Sequence, residues 1–385
     1  MKPLHKPEKI LLLPICGLGD AVCYIPFVRS LRKEFPGSEI VAIVATDSAK
    51  AIIVGNSPDI EVIVFNRCQQ PGWMSPLRLL RKLRRRRFDL VISGAHLNSI
   101  RVPLLAYLCC RKTRVGAKSE RLSFLYNRTV NVPTNAHAFE RFRQLLTAVG
   151  IHMSFQEYSP TIEPSSESRD SAMQLWKSAG LDNSECIVGM ASGADLNNRG
   201  RWLPSLKRWP VERYAEVAKY AAITCQARIV VFGTSEEAPL ASAIAESSGV
   251  PIVNLCGKTR LPELQWLLRQ CNAFVSNDTG TMHLATALGT PVVALFGPTS
   301  RESFGPLTTQ SRTIQGEAPC SPCYPYPTCT LKGCLAMEDI SSHEVIAALS
   351  SILTTQKSAT LFPIESLGLA GSRVTNERSL LCERK

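Results

Sequence analysis

Two turns carry the residue types that could do chemistry in this chain. The apolar run Ile10–Leu13 ends in Cys16-Gly17-Leu18-Gly19-Asp20, and a helical pattern follows to Phe35. A carboxylate directly after a glycine turn projects into the crevice at a strand end, where it can act as a general base or cap the next helix. A dinucleotide fingerprint also begins Gly-x-Gly, but neither Val22 nor Cys23 supplies its third glycine. The second turn, Asn277-Asp278-Thr279-Gly280, lies between the strand-like run Ala273–Val275 and a short helical pattern over 281–288. The free N–H groups and positive dipole end of such a helix suit a phosphate, and Asp278 and Thr279 can cap it as well as touch a ligand. Gly280 lets a ligand approach the backbone.

Four further groups matter. Lys207 precedes Trp209-Pro210-Val211-Glu212, whose Pro at a helix start and Glu in its first turn are an ordinary helix entry. Glu236 and Glu237 follow the strand-and-glycine pattern Val230–Gly233 and suit the first turn of the next helix. His283 reads as a core histidine or as a ligand contact. Cys320, Cys323, Cys329 and Cys334 pack four thiols among four prolines, a pattern suited to a loop around a structural zinc or iron, with disulfides and free thiols as the other readings.

These residues need a scaffold, and the hydrophobic pattern supplies one. Strand-like runs at Ile10–Leu13, Glu39–Thr46, Val62–Phe65 and Leu90–Ser93 alternate with helical patterns, the last being Ala138 to Val149. After a polar, Pro- and Ser-containing stretch at 156–170 the rhythm resumes: strands at Cys186–Met190, Arg228–Phe232, Ile252–Asn254, Ala273–Val275 and Val292–Phe296, with helices between and a last helix His343–Leu353. This βαβ alternation predicts α/β halves with parallel sheets, sites lying at the carboxyl ends of the strands. The expected boundaries are 1–160, 161–353 and a flexible tail over 354–385.

The chain has 385 residues, enough for two domains, and is 45% hydrophobic with 14 cysteines and a formal charge of +12. No apolar run reaches the ~18 residues of a membrane span. Met1–Ile10 lacks a small-residue cleavage site, so no signal peptide is expected, and the scattered cysteines fit reduced thiols in the cytoplasm. Seven of the ten residues Arg78–Arg87 are basic, with leucines between them. They could form a solvated helix face or lie on an anionic membrane. Nucleic acid ranks last, because no stacking aromatics or known module accompany them.

The string Asp278-Thr279-Gly280-x-Met282-His283-Leu284-Ala285-x-Ala287-Leu288-Gly289-Thr290-Pro291-Val292 onward to Thr299 resembles the donor-binding signature of glycosyltransferase family 9, the lipopolysaccharide heptosyltransferases. Thr281 stands where these proteins usually have Pro. Leu11–Val22 is similar to the family's N-terminal motif, with Pro14 for the frequent Arg and Cys16 for the frequent Ser. The resemblance covers roughly residues 9 to 350.

It implies the GT-B fold, two doubly wound Rossmann-like domains facing a cleft, and an inverting transfer of a sugar, heptose from ADP-heptose, to a lipopolysaccharide core or related saccharide. Asp20 would be the base and Lys207 would neutralise the leaving diphosphate. An eight-residue insertion at 195–202 leaves Arg199, Arg201 and Arg208 as alternatives to Lys207. Donor contacts would come from Gly193, Lys207, Glu237, Asp278, Thr279, Gly280 and His283, and acceptor contacts from Gly19, Arg84 and Arg85. No catalytic cofactor is expected. The partners would be a nucleotide sugar and an anionic lipid-linked saccharide at the cytoplasmic face of the inner membrane. Two rivals remain: a nucleotide-sugar epimerase or hydrolase, which would turn over ADP-sugar without acceptor, and a non-catalytic metal-stapled binding protein, which would not turn it over at all.

Overall fold

The computed structural model describes residues 5–65, 76–94, 99–133, 136–153, 160–182, 184, 186–194, 204–323, 329 and 333–361. The first half runs β1 Lys9–Leu13, α1 Leu18–Glu34, β2 Glu39–Val44, α2 Asp47–Asn56, β3 Glu61–Val64, α3 Pro76–Arg86, β4 Phe88–Ser93, α4 Arg101–Cys109, β5 Cys110–Ala117, β6 Arg128–Val130 and α5 Ala138–Thr147. The second runs α6 Arg169–Ser178, β7 Ile187–Ala191, α7 Val211–Thr224, β8 Arg228–Val231, α8 Ala238–Ser248, β9 Ile252–Asn254, α9 Leu261–Arg269, β10 Ala273–Asn277, α10 Gly280–Ala287, β11 Val292–Phe296, α11 Arg301–Phe304, β12 Arg312–Gln315, α12 Leu335–Asp339 and α13 Ser342–Leu361.

Each half builds one six-stranded parallel sheet, ordered β3-β2-β1-β4-β5-β6 and β12-β11-β10-β7-β8-β9. Leu11–Leu13 and Val292–Phe296 are buried on both faces, which is why they read as unbroken apolar runs rather than alternating ones. On the first sheet α3 and α4 cover one face, packing Leu79, Leu83, Val102 and Ala106 against Leu11, Leu13 and Val91. The other face carries α1, α2 and α5. Its core, with Ile10, Leu12, Val28 and Phe142, runs on without a break into Phe274, Met282 and Leu284 of the second half.

The order of each sheet reverses beside one strand pair, β1 and β4 in the first half and β7 and β10 in the second. Loops leaving the carboxyl ends on either side of such a reversal diverge and open a crevice. The Asp20 turn follows β1, and the Asp278 turn follows β10. Both expected sites therefore sit at a switch point.

Three details depart from the sequence pattern. The last helix does not stop at Leu353 but continues to Leu361, and the rest of the segment expected as a tail, residues 362–385, lies outside the described residues. The short strands β6 and β12 carry a half-buried pattern too weak to read without their neighbours. Asp20 is no cap: Gly17 holds the N-cap position of α1 and Asp20 stands in its first turn.

One buried carboxylate holds the far side of the first sheet together. Glu120 accepts from Ser93 Oγ at 2.7 Å, from the Ala117 amide at 3.1 Å and from Tyr126 OH at 2.7 Å, joining the ends of β4 and β5 to the turn that leads to β6. Glu120→Ala strands these donors in a dry site. The expected cost is about 2–4 kcal/mol, read as a lower urea midpoint with unchanged slope. An unchanged midpoint would contradict this reading of the network.

Candidate active site between two helix N-termini

The first-half side of the site is set by a strained turn. Ile15 is held at φ 41°, a region that β-branched residues avoid at a cost of about 1–3 kcal/mol. Its amide donates to Ile43 O at 2.9 Å and Cys16 O accepts from the Ala45 amide at 3.1 Å, so β2 holds the turn in place. The chain then enters α1 with Asp20 exposed in the first turn and Cys16 and Cys23 buried beneath it.

The second-half side is more densely bonded. Thr279 caps α10, its hydroxyl accepting from the Met282 amide at 3.4 Å. Asp278 is turned away from the helix and takes Lys207 Nζ at 2.8 Å on Oδ2, with His283 Nε2 at 3.9 Å from Oδ1. Burial opposes ionisation of Asp278, but Lys207 and His283 outweigh it and hold the carboxyl below its ordinary range. Burial lowers His283 in turn, against the pull of Asp278 and Asp20, so the imidazole stays neutral at neutral pH.

Asn277 is fully buried and was not singled out as a site residue from sequence. Its Nδ2 donates to Ser192 O at 3.1 Å and Gly193 O at 2.9 Å, while Oδ1 accepts from Tyr214 OH at 3.0 Å and the Trp209 amide at 3.3 Å. One amide thus fixes the loop after β7, the entry to α7 and the end of β10. The signal was legible, since a buried strand ending in Asn must satisfy a full amide.

The two sides meet at glycines. A Cβ on Gly19 would lie 2.7 Å from His283 Cδ2, and one on Gly280 would lie 2.8 Å from Leu18 Cβ. Side chains there would force the α1 and α10 termini apart. Cys23 Sγ lies 3.8 Å from His283 Nδ1, and burial, then Asp20 and Asp278, push the Cys23 thiol up. Both carboxylates therefore bear on one point between the halves.

The remaining expected residues distribute as follows. Glu237 closes a capping box, Oε2 accepting from the Thr234 amide at 2.8 Å, and its carboxylate leaves no room for a Cβ at Gly193. Gly193 and Glu237 thus adjoin the Asn277 network. Arg208 has a buried Nε that meets no acceptor, and Arg199 and Arg201 lie outside the described residues. Arg84 and Arg85 are not brought to the crevice. They end α3, whose Arg86 pairs with Glu39 and Glu61 at the starts of β2 and β3, the opposite end of the sheet from Asp20.

Cys320, Cys323, Cys329 and Cys334 are free. Among the described residues no group of three or more His, Cys, Asp or Glu side chains is arranged to hold a metal ion, so the closed ligand set expected from spacing is not formed. Cys334 is buried and Cys323 half-buried against the second core, whereas Cys320 and Cys329 are exposed.

The family model of glycosyltransferase family 9 (heptosyltransferase) matches residues 76–333. The chain belongs to this family. It is 33% identical over 164 residues to lipooligosaccharide heptosyltransferase 2 of Haemophilus influenzae, a stretch covering 41% of this chain and 45% of that protein. It is 26% identical over 321 residues to lipopolysaccharide heptosyltransferase 2 of Salmonella typhimurium, covering 80% of this chain and 88% of that one. A family 9 glycosyltransferase structure from Veillonella parvula superposes with a TM-score of 0.70 at 24% identity, covering 90% of this chain and 97% of that one. The two sheets are those of a GT-B glycosyltransferase, and no helix among the described residues is long and apolar enough to cross a membrane.

A histidine outside the motifs ties the halves of this family 9 chain. His137 caps α5, Nδ1 accepting from the Phe139 amide at 3.2 Å, and Nε2 donates to Gly305 O of the second half at 2.9 Å. Both nitrogens are used in the neutral form, and burial holds the group down at about 4. In the unfolded chain it takes its proton near pH ~6.5. Between those values protonation favours the unfolded chain, so stability is complete above ~6.5 and falls as pH drops toward about 4. His283 and Asp278 act in the same direction. His137→Gln should flatten part of the wild-type decline in Tm between pH 6.5 and 4.5; an identical slope would remove His137 from the cause.

Proposed function

We propose that this chain moves a heptosyl group from ADP-heptose to a lipopolysaccharide-core saccharide, with inversion, at the cytoplasmic face of the inner membrane. Family membership supports the donor and acceptor classes. Asp20 is the general base: its carboxylate takes the proton of the acceptor hydroxyl as that oxygen bonds to the anomeric carbon. The bond from that carbon to the diphosphate oxygen breaks on the opposite face, and the electron pair leaves with the nucleoside diphosphate.

The leaving charge is received by the N–H groups opening α10 and by Lys207, whose ammonium is already oriented by Asp278. Thr279 and Gly280 line that turn. Glu237, beside Gly193, is the acid for the ribose hydroxyls, since only one of its oxygens is taken by the capping box. His283, neutral and touching both sides, donates or accepts a hydrogen bond near the diphosphate without adding charge. Gly19, packed against His283, offers the acceptor its backbone beside Asp20. The observation that supports this reading is the meeting of the α1 and α10 N-termini, where a Cβ on Gly19 would lie 2.7 Å from His283 Cδ2 and one on Gly280 2.8 Å from Leu18 Cβ.

Asp20→Asn tests it. Turnover of ADP-heptose with an acceptor saccharide should fall on the order of 10²–10⁴-fold while calorimetric ADP binding is retained. Turnover within threefold of wild type would remove Asp20 as base, and equal ADP-heptose breakdown without acceptor would remove the transferase reading.

We also propose a structural zinc or iron at Cys320, Cys323, Cys329 and Cys334, outside the reaction. Its support is chemical. Four thiols within fifteen residues, set among prolines, suit a loop wrapped around a tetrahedral ion. Ligation would draw two exposed thiols onto two anchored ones. Protein purified under reducing conditions should carry about one metal ion per chain by elemental analysis, lost in Cys323→Ser. Metal-free protein with an unchanged melting temperature would end this part.

A further inference from the structure

The basic run on α3 does not serve the crevice, and it belongs to a larger pattern. Between Val62 and Ser119 there are 13 Lys and Arg residues and one acid, Asp89. That surplus equals the +12 of the whole chain, so everything outside this segment is formally neutral. Asp89 does not dilute the outer surface, because it accepts from Lys112 and from the Glu8 and Lys9 amides at the edge where β1 begins.

The same segment exposes apolar side chains. Among the described residues eight large hydrophobics are strongly exposed, and Leu77, Ile100, Leu104, Tyr107 and Phe124 are five of them. They share one layer: α3 packs against α4, and α4 against the 3-10 turn Ser123–Leu125. Leu79 and Leu83 point α3 inward, which turns Leu77, Arg81, Arg84 and Arg85 out. Ile100, Arg101, Leu104 and Tyr107 recur at the spacing of one α4 face, with Phe124 beside them. Arg114 lies over the Tyr107 ring at 5.3 Å.

We infer that this α3–α4 face is a docking surface for an anionic lipid bilayer. Charge alone would suit any polyanion, but a row of exposed Leu, Ile, Tyr and Phe between guanidinium groups suits an interface with acidic headgroups above a hydrocarbon boundary. Long Arg side chains reach the headgroups while their stems and the apolar row enter the boundary layer. The layer covers the sheet face opposite α1, so docking leaves the contact between α1 and α10 unobstructed. The amino ends of α3 and α4 lie at the carboxyl-end side of the sheet, the side on which the Asp20 turn leaves β1, and a lipid-linked substrate would rise from the membrane toward that edge.

Co-sedimentation with vesicles tests this on the full chain. Wild-type protein should pellet with phosphatidylcholine vesicles containing 30% phosphatidylglycerol in 0.1 M salt, and not with pure phosphatidylcholine. Arg81→Gln/Arg84→Gln/Arg85→Gln should lower the partition coefficient on the order of 100-fold. Leu104→Ser/Phe124→Ser should lower it roughly tenfold while leaving retention on heparin unchanged. Thermal melts and ADP binding confirm that each variant is folded. Equal pelleting with neutral vesicles, no pelleting by folded wild type, or a Ser pair that binds vesicles as wild type does would each overturn the proposal. The last result together with strong heparin or duplex DNA binding would assign the face to a soluble polyanion. Transferase activity is read separately, so a protein that ignores vesicles yet turns over soluble acceptor sinks the docking face alone.

Discussion

Two helix N-termini, those of α1 and α10, are pressed together across the boundary between the halves, and like poles of two dipoles do not meet without compensation. Gly19 and Gly280 remove the steric barrier, since neither position has room for a methyl group. The electrostatic barrier is met by carboxylates: Asp20 stands in the first turn of α1 and Asp278 just before α10. Asp278 is itself neutralised by Lys207, so the positive ends are only partly satisfied. An anion with several oxygens entering beside α10 completes what the protein leaves incomplete. The proposed diphosphate site and the cohesion of the two halves thus draw on one arrangement of charge.

The two sides of this junction are built differently. On the second half Asn277 bonds three separate segments with one amide, and the Lys207–Asp278–His283 group rests on that frame. Such a site is preorganised and changes little when a ligand arrives. On the first half the frame is a strained Ile15 turn with an exposed carboxylate above buried thiols. The exposure of Asp20 suits its proposed role as a base that takes up and releases protons, and the dryness of the Asp278 turn suits the proposed site for a fixed negative group. Beside the continuous apolar core, single hydrogen bonds join the halves, His137 Nε2 to Gly305 O and Arg29 Nη1 to Thr161 O.

Charge is also partitioned on the scale of the whole molecule. In the crevice Lys207 pairs with Asp278, and the formal surplus of positive charge falls in the segment that builds the α3–α4 layer. A surplus spread evenly over the surface would attract the anionic donor everywhere. Confined to one face, it can orient the molecule at a negative surface and leave donor binding to the short-range geometry of the second half.

Much of this was legible in the residues themselves. The apolar runs at 10–13 and 292–296 specify buried parallel strands because hydrophobicity without alternation fits no half-exposed strand. Gly289 after 281–288, and Asp278-Thr279-Gly280 before it, mark a short helix at both ends by local chemistry. The pairing of Asp20 with a distant phosphate turn was readable only through family likeness, since no local rule relates positions 20 and 280. Other features required the fold. Arg84 and Arg85 look like ligands in sequence and lie at the wrong end of the sheet, because strand direction is a property of pairing. His137 carries no motif, yet it bonds across the boundary to a carbonyl 168 residues away. The four cysteines have metal-like spacing, but only packing decides that two are anchored and two exposed. Sequence by itself determined the elements, their order and the residue types at each strand end, since those depend on neighbours a few residues apart. Tertiary structure alone decided which of those ends face one another, because that depends on sheet order and on the contact of two glycines that no periodicity connects.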